Sequence, residues 1–206
     1  MTDRTAFQPA DVVAGPSLRD TLRSATRSAH QTLDDAMAAL DMASTRDLCT
    51  FLSFQHMARA GIEAWLASHA PTGEMPPPQL PLIARDLVAL GANPPALAPA
   101  FVPRASDDGL DSEWLGVAYV VAGSHLGNRA ILAQLGAAAP ATARRFLSGE
   151  AMAGYWRKLR LRIGQPAETP ADMLAQASAV RGAQAAFAHF SACATMLDLL
   201  PAGVAA

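Results

Sequence analysis

Apolar positions in this chain recur at three- and four-residue spacing, the period of amphipathic helices. Ser17, with Asp20 three residues on, reads as an N-cap opening a helix that runs to about Met37. "STRD" at 44–47 repeats that signal and starts a longer helix to about Ala70. "PTGEMPPPQLP" interrupts the pattern. "LPLIARDLVALG" then predicts a short helix stopped by Gly91, and "ANPPALAPAFVPRASDDGLD" a long proline-rich loop of the kind that is often functional.

A further helix is predicted from about Ser112 to Ala138, and another across "TARRFLSGEAMAGYWRKLRLRI", split near Gly149. "TPAD" at 169–172 is a third capping box with proline at the first helical position. It opens a last helix to about Leu199, closed by Pro201. No segment sustains the period-2 alternation of a strand, and no internal repeat is present. The expectation is all-α: a loose N-terminal arm over 1–16, one helical domain of about six to eight helices over 17–200, and a C-terminal tail over 201–206.

Composition narrows the function. With 206 residues the chain can bury one substantial core. Half the residues are apolar and the formal net charge is -2, so no basic surface points to nucleic acid or an anionic membrane. Lys158 is the only lysine among the basic residues. Cys49 and Cys193 lie far apart and no CxxC occurs, which argues against a disulfide framework or zinc site and suits a reducing cytoplasm. No charged-then-apolar leader pattern is seen. The GxxxG at Gly123 and Gly127 raises a transmembrane helix, but Ser124, His125, Asn128, Arg129 and Gln134 interrupt it. An arginine near mid-bilayer alone costs roughly 2.5–3.5 kcal/mol.

Two helix faces carry candidate chemistry. In "GVAYVVAGSHLGNRAIL", Gly116, Gly123 and Gly127 share one face at 100° per residue, joined by Tyr119, Val120 and Ala130; His125 and Arg129 point away. Each glycine in a helix interior costs roughly 1 kcal/mol against alanine, so something must gain from the bared backbone. Close helix packing is one reading. A flat ligand lying on the backbone, with the glycines also permitting a kink, is the other.

In "LRSATRSAHQTLDDAM", His30, Asp34, Met37, Thr26 and Arg23 share a face. Helical side chains lean towards the N-terminus, so Asp34 reaches back to His30. A carboxylate on Nδ1–H fixes the tautomer, leaves Nε2 as a lone-pair donor and raises its basicity as a metal ligand. Arg23, two turns up, offers a cation to an anionic rim group. The same pattern also arises as an ordinary exposed His–Asp pair. His56 reads as a core or boundary residue, His69 as a solvated helix end, and His189 as a boundary residue.

Taken together, "LRSATRSAHQTLD" and "GVAYVVAGSHLGNRAI" resemble the proximal and distal helices of the haem oxygenase family, especially its bacterial branch. "FLSFQHMARA", "IARDLVALG", "YWRKL" and the final alanine- and phenylalanine-bearing helix echo it in the same order, across 18 to about 198. The resemblance implies a haem-oxygenase-like helical bundle with haem, both substrate and cofactor, between the two helices. It implies His30 as the axial iron ligand, with Gly123 and Gly127 lying against the other haem face. Arg23 would hold a propionate, beside Tyr119 at the same edge. The implied reaction cleaves a meso carbon with O2 to biliverdin, carbon monoxide and iron. Electrons would come from a separate ferredoxin- or flavin-type reductase, since no nucleotide or flavin fingerprint is present. A bilin photoreceptor is one implied acceptor of the product.

The chain departs from the pattern in places. Animal relatives carry aspartate after the first distal glycine; here it is Ser124, so proton delivery would rest on water held by backbone groups and Ser124. Asn128 stands where a small residue is common, and Asp34 is shorter than the glutamate of many relatives. Arg157, Lys158 and Arg162 are open as further propionate contacts. Two rivals share the architecture: a haem-free thiaminase-like enzyme, which needs a cysteine nucleophile beside carboxylates, and a non-catalytic haem or bilin carrier or sensor.

Overall fold

The computed structural model describes residues 15–103, 112–135 and 144–203. Most of the expected arm, the end of the proline-rich loop, positions 136–138 of the glycine-bearing helix, the start of the following helix and the last three residues of the tail lie outside them. The described residues form eight helices and no strand: α1 Leu18–Ala38, α2 Thr45–His69, α3 Leu80–Ala89, α4 Glu113–Gly123, α5 His125–Leu135, α6 Arg145–Ser148, α7 Glu150–Ile163 and α8 Pro170–Met196.

The helix starts follow the capping signals, though only one box closes in both directions. Thr169 Oγ1 accepts from the Asp172 N–H at 3.1 Å, and the Asp172 carboxylate accepts from the Thr169 N–H at 2.9 Å. At α1 the Asp20 carboxylate takes the Ser17 hydroxyl instead, at 2.6 Å. At α2 the Asp47 carboxylate takes the N–H of Asp41 from the incoming turn. In both, the serine still accepts the third-residue N–H and half of the cap survives. Gly91, at φ 80°, takes the left-handed conformation that ends the segment after α3.

Two apolar clusters hold the molecule. The larger joins α1, α2, α4, α7 and α8 around Leu22, Phe54, Ile62, Val117 and Ala183. The smaller joins α2, α3, α6 and the end of α5 around Leu52, Ile83, Leu87, Phe146 and Leu147. Asp86, fully buried on α3, caps α6 by accepting the Phe146 N–H at 2.9 Å and ties Arg145 at 3.2 Å. The principal neighbours of α1 are α8 and α7, whereas those of α5 are α6 and α4, so α1 and α5 flank a gap at the seam of the clusters.

The glycine-bearing helix is not one straight rod: it divides at Ser124 into α4 and α5. The bend uncouples backbone carbonyls, and adjacent side chains take them up. The Ser124 hydroxyl donates to Val121 O at 2.9 Å, and His125 Nδ1 donates to Ala122 O at 2.6 Å. His125, expected to face away from the glycine stripe, does not line the gap between α1 and α5; it is 5% exposed and caps the bend.

Candidate functional site

The gap between α1 and α5 is a cavity of about 400 Å³, in the range of small-molecule sites. Its wall is mostly apolar: Leu33, Phe54, Val120, Trp156, Phe187 and Phe190 contribute, with a few polar groups at defined places.

On the α1 side His30 and Asp34 stand at the cavity. Nδ1 of His30 lies 2.9 Å from Asp34 Oδ2, and both side chains are 60% exposed. A carboxylate accepts here, so Nδ1 carries a proton, and in the neutral form of the ring the lone pair lies on Nε2. The ring meets Phe187 edge-on at 5.9 Å, which restrains its tilt without covering it. Thr26 and Met37, from the same face, also line the cavity.

On the opposite side Gly123, Ser124, Gly127 and Asn128 line the cavity, with Leu126 at its exposed lip. A side chain at Gly127 would meet nothing within 4 Å, and one at Gly123 would only touch the Trp156 ring at 3.7 Å. The backbone there is bare towards the cavity. Gly116 is different: a β-carbon on it would overlap the Ala179 carbonyl of α8. Gly182 of α8 answers it, since a β-carbon there would overlap the Glu113 carbonyl of α4. The three-glycine face therefore divides, Gly116 serving helix packing and the other two the cavity. Asn128, next to Gly127 on α5, also lines the cavity.

Tyr119 lines one end of the cavity. Burial pushes its phenol up from the ordinary value, and the charges of Arg19 and Arg23 pull it back. Arg23 is exposed and does not line the cavity. Arg19, one turn before Arg23, was not singled out by the sequence; the i, i+4 repeat of arginine on α1 was its signal. Arg162 is committed elsewhere, paired with Glu74 at 3.2 Å and lying over the Trp114 ring. Arg157 and Lys158 are exposed and off the cavity wall.

Sequence reasoning also missed Arg59 and Gln55 of α2. Arg59 is 1% exposed. Its Nε donates to Gln55 Oε1 at 3.0 Å, its Nη2 to the Ser124 hydroxyl at 2.6 Å, and its guanidinium lies over the Phe146 ring. Burial pulls its pKa down to about 10, which leaves it charged at neutral pH. The signal was an i, i+4 polar pair on an otherwise apolar stretch, "FLSFQHMARA".

The remaining histidines and both thiols stand apart. Half-buried His56 is held below its ordinary pKa by burial. His69 stacks on Trp65, with Nδ1 2.8 Å from Trp65 O. His189 Nε2 lies 3.1 Å from Ala58 O. Burial pushes the Cys193 thiol up to about 11 and raises Cys49 as well, and neither lines the cavity, so no thiolate nucleophile serves it. Among the described residues no three His, Cys, Asp or Glu side chains gather as a metal site. A metal held by His30 would have to bring its other ligands with it. No helix among the described residues is long and apolar enough to cross a membrane.

No family model matches the chain. A curated protein of Xanthomonas campestris pv. campestris (strain 8004), named heme oxygenase, is 34% identical over 146 residues, covering 67% of this chain and 82% of its own length. The solved NO- and CO-bound heme oxygenase of Neisseria meningitidis is similar in fold, with a TM-score of 0.58 over 92% of this chain and 96% of its own, at 22% identity.

Proposed function

The chain belongs to the haem oxygenase family, and on that premise we propose that its cavity takes up haem and that the protein degrades it to biliverdin, carbon monoxide and ferrous iron. The observation that carries this reading is one cavity with an open imidazole on one wall and bare glycine backbone on the other. The donor set fits a porphyrin. The protein needs to supply one neutral nitrogen, because the macrocycle brings the other ligands. The slot is apolar, as a porphyrin face requires, and Tyr119 on its wall feels the charges of Arg19 and Arg23, which carboxylate side chains on the ring would use.

His30 Nε2 would hold the iron, with Asp34 keeping the proton on Nδ1 and the ring oriented. Tyr119, with Arg19 and Arg23, would hold the acidic edge. Bound haem supplies the iron at which oxygen is activated and is itself the molecule consumed. Gly123 and Gly127 would present bare backbone to the other face of bound haem, and that wall would govern which meso carbon is open to attack. Ser124 holds its proton against Val121 O and opens on the cavity, where it orders water for proton delivery. Electrons come from a separate ferredoxin- or flavin-type reductase, and a bilin photoreceptor is a fitting acceptor for the product. The cytoplasm is the fitting compartment.

The test is direct. Ferric haem is added to the purified protein, the absorption spectrum recorded, and a reductant supplied in air. The expected outcome is a one-to-one haem complex that converts to bilin with release of carbon monoxide. A stable haem complex without bilin would make the protein a carrier, and no haem complex would remove the reading altogether.

A further inference from the structure

Arg59 sits where a cation is costly. It is 1% exposed, and its Nη1 has no hydrogen-bond partner among the described residues. The acid nearest to it in charge is Glu63, one turn on. That carboxylate accepts the Gln79 N–H at 2.7 Å and the Leu80 N–H rather than pairing with the guanidinium. Burying a charge without a direct salt bridge is expensive. The partners Arg59 does have are the neutral Gln55, the face of Phe146 and the Ser124 hydroxyl. Gln55 and Ser124 both line the cavity.

We propose that Arg59 is a positioning residue that makes the α5 wall of the cavity electropositive through Ser124, so that the cavity favours anionic over neutral ligands opposite His30. Two effects combine. A full positive charge behind an apolar wall is weakly screened and acts across several ångströms. In addition, the guanidinium occupies a lone pair of Ser124 Oγ, so the hydroxyl becomes a poorer acceptor and a better donor. Its proton rests on Val121 O at 2.9 Å and turns into the cavity by rotation about Cβ–Oγ when an acceptor arrives. The consequence is stabilisation of negative charge that gathers beside this wall. A purely structural Arg59 would brace the bend and leave ligand preference unchanged.

This inference rests on the haem reading, and the experiment separates the two. The haem-loaded ferric protein is titrated with azide, with fluoride and, as a neutral control, with imidazole. Arg59→Met keeps the side-chain length and removes the charge. It is expected to weaken azide and fluoride binding by about tenfold while leaving imidazole unchanged. Ser124→Ala is expected to weaken the anions by about threefold. Arg59→Lys, which keeps the charge, should retain most of the anion affinity. Unchanged anion affinity in a folded Arg59→Met protein, or equal loss of anions and imidazole, would overturn the proposal. Should Arg59→Met fail to fold, unchanged anion affinity in Ser124→Ala does the same. A wild-type protein that takes up no haem removes the haem reading and this inference with it.

Discussion

Gly116 and Gly127 lie on one face of one stretch of sequence, yet the fold uses them for opposite ends. At Gly116 the missing side chain is filled by another helix: the Ala179 carbonyl lies where a β-carbon would go, and Gly182 repeats the arrangement from the other side. At Gly127 the missing side chain is filled by nothing. Each costs about 1 kcal/mol of helix propensity against alanine. The first recovers that cost in close packing of α4 on α8. The second does not recover it within the protein, which points to a molecule that comes from outside. A stripe of small residues is therefore not one feature until its neighbours are known.

Substitutions sharpen the contrast. Gly116→Ala is expected to do most, because the clash is with backbone and no rotamer relieves it. A loss of about 3 kcal/mol or more, seen as a melting temperature lower by about 6–12 °C, is the expected outcome. A melting curve unchanged from wild type would mean that α4 and α8 are not in the close contact described. Gly127→Leu should leave the melting temperature nearly alone yet weaken haem uptake at least tenfold in a spectroscopic titration, since the side chain enters the cavity. Equal haem affinity would place the ligand elsewhere. Gly127→Ala, the milder form, should raise stability by up to about 1 kcal/mol in chemical denaturation. A loss of stability would show a contact on that face.

Asp34→Asn probes the other wall and should move the melting curve least of all. An exposed His–Asp pair contributes about 0–1 kcal/mol, so the melting curve should hardly move. The histidine loses its anionic partner, and haem affinity is expected to fall by about tenfold. Haem affinity equal to wild type would mean that the pair is an ordinary surface contact.

Much of this architecture is legible in the sequence because it depends on local rules. The serine and threonine caps mark where α1, α2 and α8 begin, and the i, i+4 spacing brings Asp34 to His30 at 2.9 Å. What is not legible depends on departures from local rules. A helical wheel groups Gly116 with Gly127 and sets Asn128 off their face because it carries no neighbours: α8 packs on Gly116, while Asn128 shares the cavity wall with Gly127. It also leaves His125 without a purpose, whereas the bend creates the Ala122 carbonyl that His125 satisfies. Gly182 is one small residue in an alanine-rich helix, and only the crossing with α4 singles it out. Arg59 was hidden because its partner, Ser124, lies 65 residues away in the chain.

The central claim is that a porphyrin lies between His30 and the glycine backbone of α5. The measurement closest to it is the absorption spectrum of ferric haem added to His30→Ala, with and without free imidazole, beside the same titration of wild type. His30 is 60% exposed, so its removal leaves the fold intact. The expected result is loss of the wild-type haem spectrum in His30→Ala and its return when imidazole enters the vacated place. A His30→Ala protein whose haem spectrum matches wild type without imidazole would contradict the account.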